Sequence, residues 1–335
     1  MRTRPGGSAV ALCERYDTAL LDLDGVVYRG ATAVDHAVDA LADARGAGMH
    51  LAYVTNNASR TPQAVAEHLT RLGVPTAADD VITSAQAVAR LIAEQVGVGA
   101  PVLVVGGEGL LRALEERGLR AVTSAEQDPA AVVMGFAPSV GWEQLAEASF
   151  AVGRGVPFFA SNTDVTVPTA RGIAPGNGTL VQVVRTTTGV DPQIAGKPLP
   201  PMHRETILRT GARHPLVVGD RLDTDIEGAH VGGVDSLLVL TGVCTAADLL
   251  AAPPEHRPTY VAADLRGLLV PQPEVSVRSG SEFACGGWTA SVRQGALVLS
   301  GRGEPVDGLR ALCGAAWSAE GERPSADEAL SRLGR

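Results

Sequence analysis

Cysteine is scarce in this 335-residue chain: four residues, Cys13, Cys244, Cys285 and Cys313, with no CxxC pair among them. That scatter argues against a disulfide framework and a thiolate zinc site, and leaves four small side chains expected to be reduced and buried. Histidine is thin as well, seven residues without ligand spacing, and His203 is expected on a helix surface. No apolar run approaches the roughly 18 residues of a membrane span. The stretch from Ala9 to Leu12 is too short for a signal peptide despite Arg2 and Arg4, so a cytoplasmic protein is expected. Basic residues fall short of acidic ones, giving a net charge of −9. That balance argues against nucleic acid as a partner and predicts an overall field that repels anions. Hydrophobic residues make up 45%, which excludes wholesale disorder, and the length suits two or three domains.

What the chain does contain is a set of apolar runs that end on polar groups. Residues 19 to 25 read Ala-Leu-Leu-Asp-Leu-Asp-Gly, so Asp22 and Asp24 close an apolar run one residue apart. A buried parallel strand reads as such a run, and open α/β sheets gather ligands beyond the carboxyl ends of their strands. Residues i and i+2 of an extended segment lean to one side, so the two carboxyl groups can address one small volume and a cation there. Taken alone, the same residues fit a plain strand and Asp-Gly turn equally well. Two further runs change the balance. His50 to Val54 ends at Thr55-Asn56-Asn57, and Leu216-Val217-Val218-Gly219 ends at Asp220, with Asp223 and Asp225 behind it. In a doubly wound sheet these ends lie on one edge.

In this order the motifs resemble those of the haloacid dehalogenase superfamily of phosphatases. The first is Asp22-Leu23-Asp24-Gly25-Val26 and the second Val54-Thr55-Asn56-Asn57. The third is Lys197 within Gly196-Lys197-Pro198, a loop lysine that in isolation reads as surface charge. The fourth is Gly219-Asp220-Arg221-Leu222-Asp223-Thr224-Asp225, in isolation a solvated acidic loop. The resemblance spans roughly residues 15 to 270 and implies Asp22 as nucleophile, forming an aspartyl phosphate. It implies Asp24 as general acid and then base, and Mg²⁺ held by the Asp22 carboxylate, the Asp24 backbone carbonyl and Asp220, with Asp225 close by. Thr55, Asn56 and Asn57 would offer donors to the phosphoryl oxygens, and Lys197 would hold Asp22 and neutralise the transferring group.

About 140 residues separate Thr55 from Lys197, more than one or two βα units can use. Strands at Val102 to Val105, Ala131 to Met134 and Pro157 to Ala160, with helices at Gly109 to Arg117 and Trp142 to Val152, predict an inserted α/β domain. It resembles the type II cap of the branch that includes 4-nitrophenyl, phosphoglycolate and pyridoxal phosphatases. Gly106-Gly107-Glu108-Gly109, Ser161-Asn162-Thr163-Asp164 and Pro175-Gly176-Asn177-Gly178-Thr179 match that branch too. The glycine cluster at 106 to 109 lacks dinucleotide-loop spacing and reads as a tight strand-to-helix turn. Asn162, Asp164 and Arg171 are the candidates for contact with the non-phosphate part of the substrate.

The expected architecture is therefore a doubly wound parallel-sheet hydrolase core at 14–97 and 186–270, a cap at 98–185 and a small α+β appendage at 274–335. Pro271-Gln272-Pro273 reads as a linker. Beyond it, Glu282 to Val292 and Ala296 to Ser300 are expected to form a hairpin around Gln294-Gly295, followed by a helix from Pro305 to Trp317. About 60 residues are marginal for an independent core, so the appendage should pack on the hydrolase or on a second subunit of a homodimer. It resembles a truncated acyltransferase-like fragment of actinobacterial relatives, without a complete coenzyme A site. The expected partner is a small phosphorylated metabolite. Resemblance to actinobacterial phosphatases of this branch puts glycerol 3-phosphate ahead of phosphoglycolate, pyridoxal 5′-phosphate and nucleoside monophosphates. A phosphotransferase or mutase, and a non-catalytic binder of phosphorylated ligands, are the rival readings.

Overall fold

The apolar runs that end at Asp22 and Asp220 are strands, and they are neighbours. In the structure, a computed structural model describing residues 2–169, 171–278 and 281–334, Thr18–Leu21 pairs in parallel with Pro215–Gly219, Leu21 opposite Val218. Residue 170 of the expected cap and residues 279, 280 and 335 of the expected appendage lie outside the described residues. The chain packs as two units, one formed by Met1–Ala52 with Ala212–Arg335 and the other by Tyr53–Gly211. The expected boundaries at 97/98 and 185/186 both fall inside the second.

The first unit is built on a parallel sheet in the order Tyr260–Ala262, Asp235–Val239, Pro215–Gly219, Thr18–Leu21, continued by the first half of His50–Thr55. The chain leaves Thr18–Leu21 toward one side, returns, and adds its later strands on the other. The strand order thus reverses between Thr18–Leu21 and Pro215–Gly219, which is where open α/β sheets place their sites. Both strands are almost entirely apolar and buried, the pattern of parallel strands covered on both faces.

The appendage belongs to this same unit. Ser276–Val277, Phe283–Cys285, Trp288–Arg293 and Ala296–Gly301 form an antiparallel sheet backed by the helix Pro305–Trp317. The hairpin around Gln294-Gly295 is present; both residues have positive φ (49° and 75°), as a two-residue type I′ turn requires. The expected single strand from Glu282 to Val292 is two strands. Cys285 pairs with Trp288 across Gly286-Gly287, and at Gly287 a Cβ would collide with the Arg302 carbonyl, so the chain reverses there.

Trp288, Phe283, Leu309, Leu312 and Trp317 share one apolar cluster with Leu238 and Val261 of the hydrolase sheet and Leu249 and Leu250 of the helix Ala246–Leu250. Buried Arg310 donates to the carbonyl of Val261 and to Gln272 Oε1 (2.8 Å). The segment read as a linker is tied down rather than free: Pro271–Gln272 pairs with Ser8–Ala11, and Gln272 is buried.

The second unit takes up His50–Thr55 from Tyr53 and pairs it in parallel with Val81–Thr83. It also holds a five-stranded parallel sheet ordered Gln193–Ile194, Phe158–Ala160, Ala131–Met134, Pro101–Val105, Arg120–Val122. Leu103, Val132, Met134 and Phe158 pack there against Ala148, Val152, Val181 and Val184 of the helices Trp142–Gly153 and Asn177–Thr188. The expected strands and helices of the insert are all present to within a residue or two at their ends. Glu108–Glu116 begins directly after Gly106-Gly107, and Gly109 lies so close to the Arg60 carbonyl that no Cβ fits, confirming a tight turn.

One buried charge in this unit is the fully inaccessible Glu205, on the helix Pro200–Thr210, ringed by Arg90, Arg117 (2.9 Å) and Arg209. Burial pushes its carboxyl up, but hydrogen bonds from Arg90 and Arg209 and their charge outweigh this and hold it below the ordinary range. A carboxyl lowered on folding contributes stability above its unfolded pKa, and the contribution is lost as pH falls through the lower folded value. Glu205→Gln leaves arginines facing a neutral group and is expected to cost about 3–5 kcal/mol at pH 7. Denaturant titration should show that deficit shrinking toward pH 3; a deficit constant with pH would contradict the assignment.

Candidate active site

Three carboxylates meet at the switch point of the first unit. Oxygens of Asp22, Asp220 and Asp225 lie within 4.8 Å of one another, Asp220 and Asp225 buried and Asp22 half-buried. Backbone geometry sets this arrangement. The Asp22 N–H extends the ladder to the Val218 carbonyl (2.8 Å), holding the nucleophile candidate in strand register beside Gly219. After Asp220 the chain enters a π-turn, Leu222–Ile226, before the helix Glu227–Gly232. This wider turn, of a kind frequent at functional sites, swings Asp225 back so that its Oδ2 accepts the Arg221 N–H (3.2 Å) and its side chain fills the space a Cβ on Gly219 would take.

Asp220 is held by the segment Thr241 to Cys244 and by Gly25 of the first motif. The Val243 N–H donates to Asp220 Oδ2 (2.7 Å) and the Cys244 N–H to the Asp220 carbonyl (3.1 Å). Gly25 and Gly242 both stand so close to this carboxylate that a Cβ on either would strike it, and Gly25 has φ +83°. The Thr241 hydroxyl donates to the Gly25 carbonyl (2.6 Å), closing the loop over the site. Nothing in the sequence pattern marks Thr241-Gly242 for this role, since Gly25 and Gly242 meet around the Asp220 carboxylate only in the fold. Cys244 is no rival nucleophile, since burial pushes its thiol up to about 12.

Asp24 is exposed, bridged to Tyr28 in the turn that follows Asp22, and its carboxylate is outside the three-carboxylate group. Asp223 is outside it too. Its carboxylate makes a two-pronged pair with Arg221 (2.8 and 3.1 Å), and although burial opposes it, that contact holds the carboxyl below its usual range.

In the second unit Thr55 is buried at the end of its strand. Its hydroxyl oxygen accepts the Asn57 N–H (3.1 Å), which leaves the hydroxyl proton available for donation. The Lys197 ammonium donates to the Val54 carbonyl (3.1 Å) one residue earlier. The asparagines also hold the protein's own loops. Asn57 Oδ1 accepts from Ser59 N, Ser59 Oγ and Arg60 N, capping its own loop. Asn56 clamps the lysine loop: its Oδ1 accepts the Lys197 N–H (2.8 Å) and its Nδ2 donates to the Lys197 carbonyl (3.2 Å) and to Asp164 Oδ1 (3.3 Å). Asn162, also buried, donates to the Asn56 carbonyl (2.7 Å). Asn56, Lys197, Asn162 and Asp164 therefore form one connected group beside Thr55. Arg171 lies exposed at the turn of the hairpin Thr166–Thr169/Gly172–Pro175.

Three carboxylates crowded in partly buried space repel one another unless a cation shares them. The donors are hard oxygens with no sulfur or imidazole among them, so Mg²⁺ or Ca²⁺ fits and a soft metal does not.

Residues 19–120 match the haloacid dehalogenase-like hydrolase family, residues 194–268 a HAD-hydrolase-like family, and residues 285–334 a GCN5-related N-acetyltransferase like domain. The D-glycerol 3-phosphate phosphatase of Mycobacterium tuberculosis is 43% identical over 326 residues, 92% of this chain and 88% of that protein. The crystal structure of a glycerol phosphate phosphatase from the same organism in complex with magnesium superposes with a TM-score of 0.88 at 41% identity, covering 97% of this chain and 99% of that one. A p-nitrophenyl phosphatase from Archaeoglobus fulgidus superposes with a TM-score of 0.70 at 28% identity, over 76% and 98%. With motif order, fold and full-length relatives in agreement, the chain belongs to the haloacid dehalogenase-like hydrolases and is an enzyme of the phosphatase kind.

Proposed function

We propose that this enzyme is a magnesium-dependent phosphomonoester hydrolase that works through an aspartyl phosphate at Asp22, with glycerol 3-phosphate as its substrate. The carboxylate triplet Asp22, Asp220 and Asp225 carries the reading; the named relatives support the substrate. In domain terms 14–97 and 186–270 serve as the hydrolase core and 98–185 as the cap; four of the five strands of the second sheet and most of its apolar cluster fall within 98–185, with Gln193–Ile194 joining from beyond it.

Asp22, Asp220 and Asp225, with the Asp24 carbonyl, would hold the metal. When bound, the ion neutralises negative charge on substrate and nucleophile. Asp22 attacks phosphorus and displaces the alcohol. Asp24, on the exposed turn two residues on, gives its proton to the leaving alkoxide, then takes one from the water that cleaves the acyl phosphate. The Thr55 hydroxyl donates to a phosphoryl oxygen, and the Lys197 ammonium offsets charge on the transferring group. Asn56 and Asn162 hold the lysine loop in place, and the Asp164 carboxylate and Arg171 are offered to the alcohol part of the substrate.

Release of inorganic phosphate from a panel of metabolites, with and without magnesium, tests this. Glycerol 3-phosphate should be hydrolysed ahead of phosphoglycolate, pyridoxal 5′-phosphate and nucleoside monophosphates, and chelation should stop it. Release that depends on an added sugar acceptor would replace hydrolysis with transfer.

A further inference from the structure

The Gly176-Asn177-Gly178 motif is used neither by the chemistry above nor by a surface turn. Gly176 and Gly178 lie against the carbonyls of Asp164 and Thr163 so closely that a Cβ on either would collide, and the Gly178 N–H donates to the Asp164 carbonyl (2.9 Å). The glycines bring Asn177, 1% exposed, beneath the Asn162–Asp164 turn. There its Nδ2 donates to the Asn162 carbonyl (2.7 Å) and reaches the Met134 carbonyl (3.4 Å). Both neighbours are acceptors, which fixes the amide's orientation.

From this point the bonds continue toward the lysine loop. Asn162 donates to the Asn56 carbonyl, and Asn56 grips both the N–H and the carbonyl of Lys197. Gly196, just before the lysine, is packed under the same residues; a Cβ there would lie 2.6 Å from the Ser161 carbonyl and 2.7 Å from Asn56 Oδ1. Three buried or half-buried amides thus link the first turn of Asn177–Thr188 to the loop that carries the ammonium group.

We propose that Asn177 is a positioning residue for catalysis: through Asn162 and Asn56 it sets where the Lys197 ammonium stands. The proposal rests on the functional reading above, in which Lys197 acts on the phosphoryl group. A displacement of about 1 Å in a catalytic group can cost up to roughly 100-fold in rate. Asn177→Ala is therefore expected to lower kcat by about 10- to 100-fold, with KM for glycerol 3-phosphate and for 4-nitrophenyl phosphate changed by less than about threefold.

The deciding measurement is a double-mutant cycle. Lys197→Ala is expected to lower kcat by about 10²–10³-fold, and adding Asn177→Ala to it should change kcat by less than about twofold, because the group being positioned has gone. Multiplicative losses would overturn the proposal, since a general disturbance of the fold acts whether or not the lysine is present. A raised KM for one substrate with unchanged kcat would overturn it too, by making Asn177 a substrate contact. Lys197→Ala without effect on kcat would instead sink the functional reading itself. Asn177→Ser keeps a hydroxyl donor on a shorter side chain and reports the same coupling at smaller amplitude, so it decides the matter should the alanine variant not fold.

Discussion

Asparagine at position 22 is expected to lower turnover by roughly 10⁴–10⁶-fold, the range seen when a covalent nucleophile is removed, in a protein that folds normally. The amide has the shape of the carboxylate, and the backbone N–H that places it bonds to the Val218 carbonyl whatever the side chain. What is lost is the anionic oxygen that attacks phosphorus. Rapid quenching into hydroxylamine should convert an acyl phosphate to a hydroxamate at residue 22 of the native enzyme and leave the variant unlabelled. Asp24→Asn should behave differently. With glycerol 3-phosphate, whose alkoxide cannot leave without a proton, its loss should cost about 10²–10⁴-fold. With 4-nitrophenyl phosphate the first step needs no acid, so a stoichiometric burst of 4-nitrophenol should precede slow release of phosphate. Asp22→Asn activity within tenfold of native, or a variant at 24 indifferent to the leaving group, would remove the covalent mechanism.

As candidates these two residues stood out because an apolar run leads into them, and in a doubly wound sheet the end of a strand beside the switch point is a functional address; the strand stops at Leu21 and Asp24 falls on the turn beyond it. The same reasoning located Thr55 and Asp220. It could not assign the amides. Asn56, Asn57 and Asn162 offer the same donors to a phosphate or to a backbone carbonyl, and only folding showed that Asn57 caps its own loop while Asn56 grips Lys197. Glu205 was equally opaque: a glutamate between Arg204 and Thr206 on a helix reads as surface, and its partners Arg90 and Arg117 are distant in sequence. Glycine was misjudged in both directions. Gly286-Gly287 was read through as strand although it reverses the chain, and Gly242 was given no part in the site although its lack of a Cβ makes room for Asp220. Short-range pattern reveals periodicity and strand ends; it does not reveal close approach between segments more than 200 residues apart, such as Gly25 and Gly242.

Asp220→Asn is expected to weaken Mg²⁺ binding by at least about 100-fold and to lower activity at fixed Mg²⁺ by about 10³-fold, the loss of a charged ligand being larger than that of the residues which merely orient one. Gly242→Ala separates position from charge. It leaves all three carboxylates chemically intact but drives a methyl group into Asp220, whose Oδ2 must then leave the Val243 N–H. Its Mg²⁺ affinity should fall about 10- to 100-fold, with activity largely regained at high Mg²⁺. Asp223→Asn, which breaks only an exposed pair with Arg221, should bind Mg²⁺ as the native protein does. Titration calorimetry with Mg²⁺ or Ca²⁺ reads these affinities without reference to turnover. Thermal stability supplies an effect of opposite sign. Without metal, Asp22, Asp220 and Asp225 repel one another, so removing one charge should raise the Tm of metal-free Asp220→Asn, while the added stability conferred by Mg²⁺, which grows with affinity, should shrink. A variant less stable without metal and equally stabilised by it would mean that the carboxylates are held together by hydrogen bonds alone and that the cation binds elsewhere.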